Sequence, residues 1–429
     1  MILTAILIII LLIKLSVLKN KSRKLLLFQV IFFLLCISLQ LLFLSIFKGT
    51  FFVGSDSIFF SSKGKELNNI VNMHGLFSND SFYFLKESGT SYVIYIIFNF
   101  LSYSPNEFIF SLLTKLNNVL ATLIFFSNLL YLFQKQNIKL NGKRKYFFIF
   151  INLFFAWLVI LNFRDNLIAI FICSIFLNVA DSQKNYFKIA INLIFLYFLR
   201  PEITYVILLT LFVFKFLNKY IGNKIIFISH IIIFMIWYFI PLPDFLKILL
   251  WSPEGDSGIH NSMTYEQAMN LDNSLAGKMF TIRYLQGMFY GFLANSPLSI
   301  IIDYFRYPTG MTWYYTPLTN LLNLFVHFIN TLFVYPLILT FLIGDKEQEG
   351  KYDRLFYMGV FFVLLIYGFY SVKWGVQDRI RIPLHILLIT LFMFKPKITK
   401  RNFKIFKYIM VFYSIWIIVK ALIVYLLGY

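Results

Sequence analysis

Acidic residues are scarce in this chain. Asp and Glu number 19 against 39 Lys and Arg over 429 residues, a formal net charge of +20. In a soluble domain that imbalance would point to nucleic acid. Here most of the cations sit in short loops beside apolar runs, the pattern that encodes membrane orientation, which argues against a nucleic-acid partner. Cysteine is nearly absent: Cys36 and Cys173 both lie inside apolar segments, which excludes a disulfide framework and reads them as small buried hydrophobes. There is no glycine-rich phosphate loop followed by Lys and Ser or Thr, no Gly-x-Ser-x-Gly, and no Cys or His pair at metal-ligand spacing; the 5 histidines are scattered. P-loop hydrolysis, nucleophile-elbow chemistry and a zinc centre fall away with those motifs.

What the chain has instead is apolar length. It is 59% hydrophobic, 20% aromatic and only 14% charged, with a mean hydropathy of +0.76. This composition predicts an all-α, polytopic transmembrane helical bundle. A bilayer core needs about 17 to 25 helical residues, fewer where neighbours shield a helix. Candidate spans fall at 2–18, 25–47, 108–133, 146–163, 167–180, 189–199, 203–217, 225–240, 321–343, 355–372, 382–394 and 409–427, about twelve transmembrane helices in a single membrane domain over 1–429. The first is expected to be a retained helix, since no basic residues precede it and no small-residue cleavage site follows. Loops rich in Lys and Arg (19–24, 135–145, 215–224, 395–404) are expected on the cytoplasmic side. Outer loops 48–107 and 241–318 then face outward and carry short amphipathic helices, with 92–101 lying along or dipping into the interface and 279–293 able to lie on the membrane surface.

Threaded this way, the distinctive polar residues gather on the outer face. Asp56, in Gly54-Ser55-Asp56-Ser57, follows an outward-running helix; partial desolvation there suits a general base for a hydroxyl nucleophile, while the same residues are also ordinary turn chemistry. Arg164 with Asp165, and Arg200 with Pro201 and Glu202, occupy successive tight outer connections. They read either as a bidentate guanidinium clamp for phosphate or as local salt bridges. A long outer loop adds Glu254 and Asp256, and the last outer connection adds Asp378, Arg379 and Arg381 against the positive-inside bias. His385 behind them is expected to bond a neighbouring carbonyl. Trp251, Trp313, Tyr314 and Tyr315 read as an interfacial aromatic belt, with sugar stacking as the alternative.

The acidic residue in the first outer loop, the Arg-bearing outer turns, the Pro-bearing stretch Asn295-Ser296-Pro297 with Tyr307-Pro308, and the run Arg379 to Pro383 together resemble polytopic GT-C type glycosyltransferases and the related polymerases of bacterial O-antigen and capsule. The resemblance implies a multi-pass protein of the bacterial inner membrane. It also implies a polyprenyl-phosphate- or polyprenyl-diphosphate-linked sugar donor and a glycan or glycolipid acceptor at the outer face. Asp56 would act as base, Arg164, Arg200, Arg379 and Arg381 would hold the donor phosphate, and Asp165, Glu202, Glu254, Asp256 and Asp378 would support them. Asp56 is followed by Ser57, Ile58, Phe59 and Phe60 where many such enzymes carry a second acid or a Tyr, so acceptor activation and any divalent-cation requirement stay open. Repeat-unit polymerisation is the alternative within this class. A precursor flippase, which would place ionisable groups near the midplane and show repeat symmetry, is the alternative outside it. A reporter fused after Lys143 is expected to read cytoplasmic and one fused near Ser257 extracytoplasmic; the reverse reading at Ser257 would undo the common outer face.

Overall fold

The computed structural model describes residues 2–47, 51–52, 55–138, 142–180, 186–216, 228, 231–232, 234–248, 250, 263–293, 316–343, 351–373, 378–394 and 399–427. Among these there is no strand. The helices are α1 Ile2–Val17, α2 Asn20–Phe47, α3 Ser55–His74, α4 Asn79–Glu87, α5 Val93–Ser102, α6 Glu107–Lys135, α7 Gly142–Ile160, α8 Asp165–Ala180, α9 Tyr186–Tyr197, α10 Pro201–Phe216, α11 Asn273–Leu293, α12 Pro317–Ile343, α13 Lys351–Lys373, α14 Asp378–Phe394 and α15 Lys400–Leu427. Two short turns, Asp244–Lys247 and Tyr265–Met269, precede α11. Within α12, Asn330–Val334 is a π turn.

Among the described residues five helices, within α2, α6, α12, α13 and α15, are long and apolar enough to cross a membrane. Their outward faces say the same. Helix α2 buries Leu26, Gln29, Phe33, Cys36, Ile37, Gln40, Leu41 and Leu44 at helical spacing, yet its exposed side is Leu27, Phe28, Ile31, Leu34, Leu35, Leu42 and Ile46. A water-facing helix would be polar there. Helix α6 buries the polar Ser111, Thr114, Lys115, Asn117, Asn118 and Thr122 along with apolar residues, while Phe108, Ile109 and Tyr131 are exposed. These are the surfaces of a membrane protein, in which lipid takes the apolar side and protein partners take the polar one. Both cysteines are buried and free.

Helices α7, α8, α13 and α14 form the interior, with nearly every residue from Ile380 to Phe394 enclosed. Hydrogen bonds near the helix ends sort the bundle into two ends. At the lysine-rich end Gln134 Nε2 donates to Ser22 Oγ at 2.6 Å, Arg144 Nε to the Met393 carbonyl at 3.0 Å, and Arg354 to the Phe214 carbonyl. At the opposite end Thr316 Oγ1 donates to Gln40 Oε1 at 2.6 Å, and Arg164 Nη1 to the Ser91 carbonyl at 3.0 Å.

Three expectations change. The first outer loop is largely helical: α3 is a helix of 20 residues, packed across α5 where Gly64 allows close approach, since a Cβ there would lie 2.9 Å from Asn99 Cβ. The 92–101 piece is no solitary interfacial helix, because α5 packs on α1, α3 and α6 and buries Tyr95, Ile96, Phe98, Asn99 and Ser102. The 279–293 stretch does not lie flat. It belongs to α11, which runs antiparallel to residues 234–242 through Leu242–Asn273, Trp237–Gly277 and Phe234–Tyr284, and packs along α13 with the Tyr284 ring against Gly368. Its hydrophobicity serves helix packing, which amphipathic patterning alone does not distinguish from a surface role. A Cβ at Gly277 would strike the Trp237 carbonyl and stand 2.9 Å from that of Ile240. Gly277→Ala should therefore cost about 1–3 kcal/mol, read as a lower unfolding temperature of the detergent-purified protein.

Candidate functional site

The end opposite the lysines is organised by the turn between α7 and α8. Helix α7 closes in a Schellman arrangement: the Phe163 N–H bonds the Leu158 carbonyl, the Asn162 N–H bonds that of Val159, and Asn162 takes a φ of 53°. Glycine is the usual residue at such a position; asparagine stands here with its side chain in use. Tyr95 Oη donates to the Asn162 carbonyl at 2.9 Å and lies 3.1 Å from its Oδ1, to which Asn118 Nδ2 donates at 2.8 Å. Asn166 Nδ2 donates in turn to Asn118 Oδ1 at 3.1 Å, and Thr122 Oγ1 to Asn166 Oδ1 at 3.2 Å. All five side chains are buried, so this mesh ties α5, α6 and the start of α8 together under the site.

On that floor stand Arg164 and Asp165. Arg164 is 6% exposed, and its Nη1 donates to the carbonyls of Ser91 and, at 3.4 Å, Leu199; its guanidinium carbon sits 4.7 Å from the Tyr92 ring centre and 5.8 Å from that of Phe60. Asp165, 2% exposed at the start of α8, pairs across the connection with Arg200 Nη2 at 3.6 Å. The ion pair between described groups thus runs between two connections and not inside one. Arg200 is 8% exposed and donates through Nη1 to Tyr370 Oη at 3.0 Å. Burial opposes its charge, but Tyr370, Asp165 and the more distant, exposed Glu202 outweigh it, so the Arg200 pKa is raised above the ordinary guanidinium value. Arg200 Nε and Nη2 and Asp165 Oδ2 carry no hydrogen bond. With Nη2 facing Asp165 at ion-pair distance, Nε is the N–H of this nine-tenths-buried guanidinium left to receive a further oxygen.

Arg381 is 4% exposed in the second turn of α14. Helix α14 packs against α8, with Cys173 beside Thr390. Pro383 removes the helical N–H that would bond the residue 379 carbonyl. Asp378 and Arg379 lie in the first turn of α14, but their side chains, with Glu254, Asp256 and the aromatic residues Trp251, Trp313, Tyr314 and Tyr315, fall outside the described residues. His385 meets a neighbouring carbonyl as expected, that of the Asn330 side chain. Its Nε2 meets Tyr367 Oη, and its Nδ1 lies 2.7 Å from Asn330 Oδ1 at the opening of the π turn.

Asp56 sits in the first turn of α3 and not in an open turn; its side chain is outside the described residues. One turn on, Phe60 packs on Arg164, Tyr92 and Tyr95, which brings the start of α3 over the arginine layer. The chain entering α3 is gripped by one face of α6. Glu107 Oε1 accepts from the Phe51 N–H at 3.3 Å, Ser111 Oγ donates to the Phe51 carbonyl at 2.8 Å, and Lys115 Nζ donates to that carbonyl at 3.3 Å and to Ser111 Oγ at 2.7 Å. The i, i+4, i+8 spacing of these residues explains a buried lysine in an apolar helix.

Sequence reading singled out the arginines, but not Asn118, Asn162, Asn166, Tyr95 or Tyr370. The signal available was asparagine inside apolar runs, four polar residues in five at Asn162 to Asn166 and a pair at Asn117-Asn118, which lipid-facing surfaces do not tolerate. Among the described residues no three His, Cys, Asp or Glu side chains gather as a metal site. Asn162→Gly keeps the left-handed turn and the backbone carbonyl that Tyr95 bonds but removes the Oδ1 that accepts from Asn118, an expected loss of about 1–3 kcal/mol. Asn162→Ala adds backbone strain of about 1–2 kcal/mol. Unfolding temperatures in detergent should fall in the order wild type, Gly, Ala. Comparison of the chain with protein-family models, with curated proteins and with solved structures finds no match.

Proposed function

We propose that this protein is a multi-pass glycosyltransferase of the bacterial inner membrane, with about twelve spans in a GT-C-like arrangement, acting at its extracytoplasmic face on a polyprenyl-phosphate- or polyprenyl-diphosphate-linked sugar. The observation that carries the reading is the buried layer of Arg164, Asp165 and Arg200 beneath the helix whose first turn holds Asp56. A lipid-linked donor is confined to the bilayer, so its phosphate reaches the protein near such a layer. In the proposed step an acceptor hydroxyl oxygen bonds the anomeric carbon as the bond from that carbon to the phosphate oxygen breaks. The leaving phosphate keeps the electron pair, and Asp56 takes the hydroxyl proton. The guanidinium groups stabilise the charge that grows on the phosphate, with Asp165 and Tyr370 fixing the Arg200 fork in advance.

Arg200 and Asp165 have a structural side as well, since removing either partner of a buried pair destabilises by about 3–5 kcal/mol. Lysine variants separate the two roles because they keep the charge and lose the bidentate fork. Asp56→Asn should abolish product formation from a lipid-linked donor with membrane insertion intact. Arg164→Lys, Arg200→Lys and Arg381→Lys at matched protein level should each lower it about 100-fold or more, the scale seen when a preorganised donor is lost. Near-normal product from Asp56→Asn, or full activity in all three lysine variants, would sink the reading.

A further inference from the structure

A cavity of about 530 Å³ opens between α3 and the junction of α5 with α6. From α3 come Ser61 and Lys65, from the junction Tyr103, Ser104 and Glu107, and from the strand of chain entering α3 comes Phe52. The volume falls in the range of small-ligand pockets, about 300–1,000 Å³. Its chemistry is specific in kind. Hydroxyls both donate and accept, one carboxylate and one ammonium cancel in charge, and no arginine is among the lining residues. An anionic phosphate finds a better partner in the arginine layer. A purely apolar molecule would strand the serines, Lys65 and Glu107. Tyr103 and Phe52, whose rings meet Phe110 edge-on at 5.4 and 5.0 Å, supply apolar surface of fixed orientation. Alternating hydroxyls on an otherwise apolar ring frame are what this lining complements.

We infer that this cavity is a carbohydrate subsite that holds the acceptor glycan beside the start of α3. Its connection to catalysis rests on the transferase reading, because its α3 wall begins with Ile58, two residues beyond Asp56. The frame is shared: Glu107 lines the cavity and, with Ser111 and Lys115, pins Phe51, so the cavity wall and the approach to Asp56 are held by one face of α6.

The test uses the full chain in detergent and a panel of methyl glycosides of glucose, galactose, mannose, rhamnose, N-acetylglucosamine and N-acetylgalactosamine, read by saturation-transfer NMR. Ser61→Trp and Ser104→Trp fill the cavity from opposite walls, and each is checked by circular dichroism for unchanged helix content. At least one glycoside should bind the wild type and lose about tenfold or more in affinity in each folded variant, a change of roughly 1.4 kcal/mol. Absence of binding by all six glycosides, or binding that survives in either folded variant, overturns the subsite. Arg200→Lys keeps the cavity and should bind the glycoside as the wild type does. If glycoside binding maps to the cavity while no lipid-linked donor gives product, the transferase reading fails and the subsite stands. If transfer occurs and the acceptor KM ignores both tryptophans, the subsite fails alone.

Discussion

Lipid offers no hydrogen bond, and that constraint governs where this chain keeps its polar groups. A buried, unpaired amide or hydroxyl costs about 1–3 kcal/mol and a charged group more, so each one placed between helix ends needs a protein partner. The asparagines of α6 and α8 answer each other and the Asn162 turn. Lys115 answers a backbone carbonyl that has left helical pairing, and His385 is held from both sides by Tyr367 and Asn330. The polar mesh therefore fixes which helices are neighbours, while apolar packing, nearly indifferent between lipid and protein, fills the space around it.

Above the mesh the balance shifts from neutral amides to charge. Arg164 and Arg200 are seated by groups of unlike kind: backbone carbonyls and aromatic faces for the first, a phenol and a carboxylate for the second. Arg164 is thus held largely through its planar face and one edge, whereas Arg200 is held through Nη1 by Tyr370 and through Nη2 by Asp165, with no hydrogen bond at Nε. The two cations lie in one layer with a single buried carboxylate between them, so the layer carries positive potential in a region of low dielectric, where an incoming anion gains more than it would in water.

Much of this was legible beforehand because apolar length is a one-dimensional property. The spans at 25–47, 108–133 and 321–343 became α2, α6 and α12 with ends shifted by a few residues, and two tight connections brought Arg164 with Asp165 beside Arg200. What sequence did not carry is partnership. That Arg200 pairs with Asp165 and not Glu202, or that Asn118 meets a residue 44 positions away, depends on which helices are adjacent, and periodicity does not encode adjacency. Helix α3 was hidden for a different reason: its 20 residues mix serine, lysine and asparagine with aromatics, so it shows neither the length signal of a span nor a clean amphipathic stripe. For His385 a carbonyl partner was expected, but not which one, because Asn330 looks, in sequence, like one more polar residue in a different helix.

The π turn in α12 has a geometric consequence of its own. Five residues, Asn330–Val334, occupy a wider turn than regular α winding uses, in effect one residue more than an uninterrupted helix needs. Each residue of α-helix turns the chain by about 100°. Rewinding these residues as regular α-helix at unchanged length would rotate one half against the other by about that angle. Thr316, bonded to Gln40, caps one half; Tyr335, tilted against Tyr413 and beside His385, belongs to the other. The bulge acts as a phase shifter, letting one continuous helix present matched faces to two sets of neighbours that a straight helix of the same length would satisfy only one at a time.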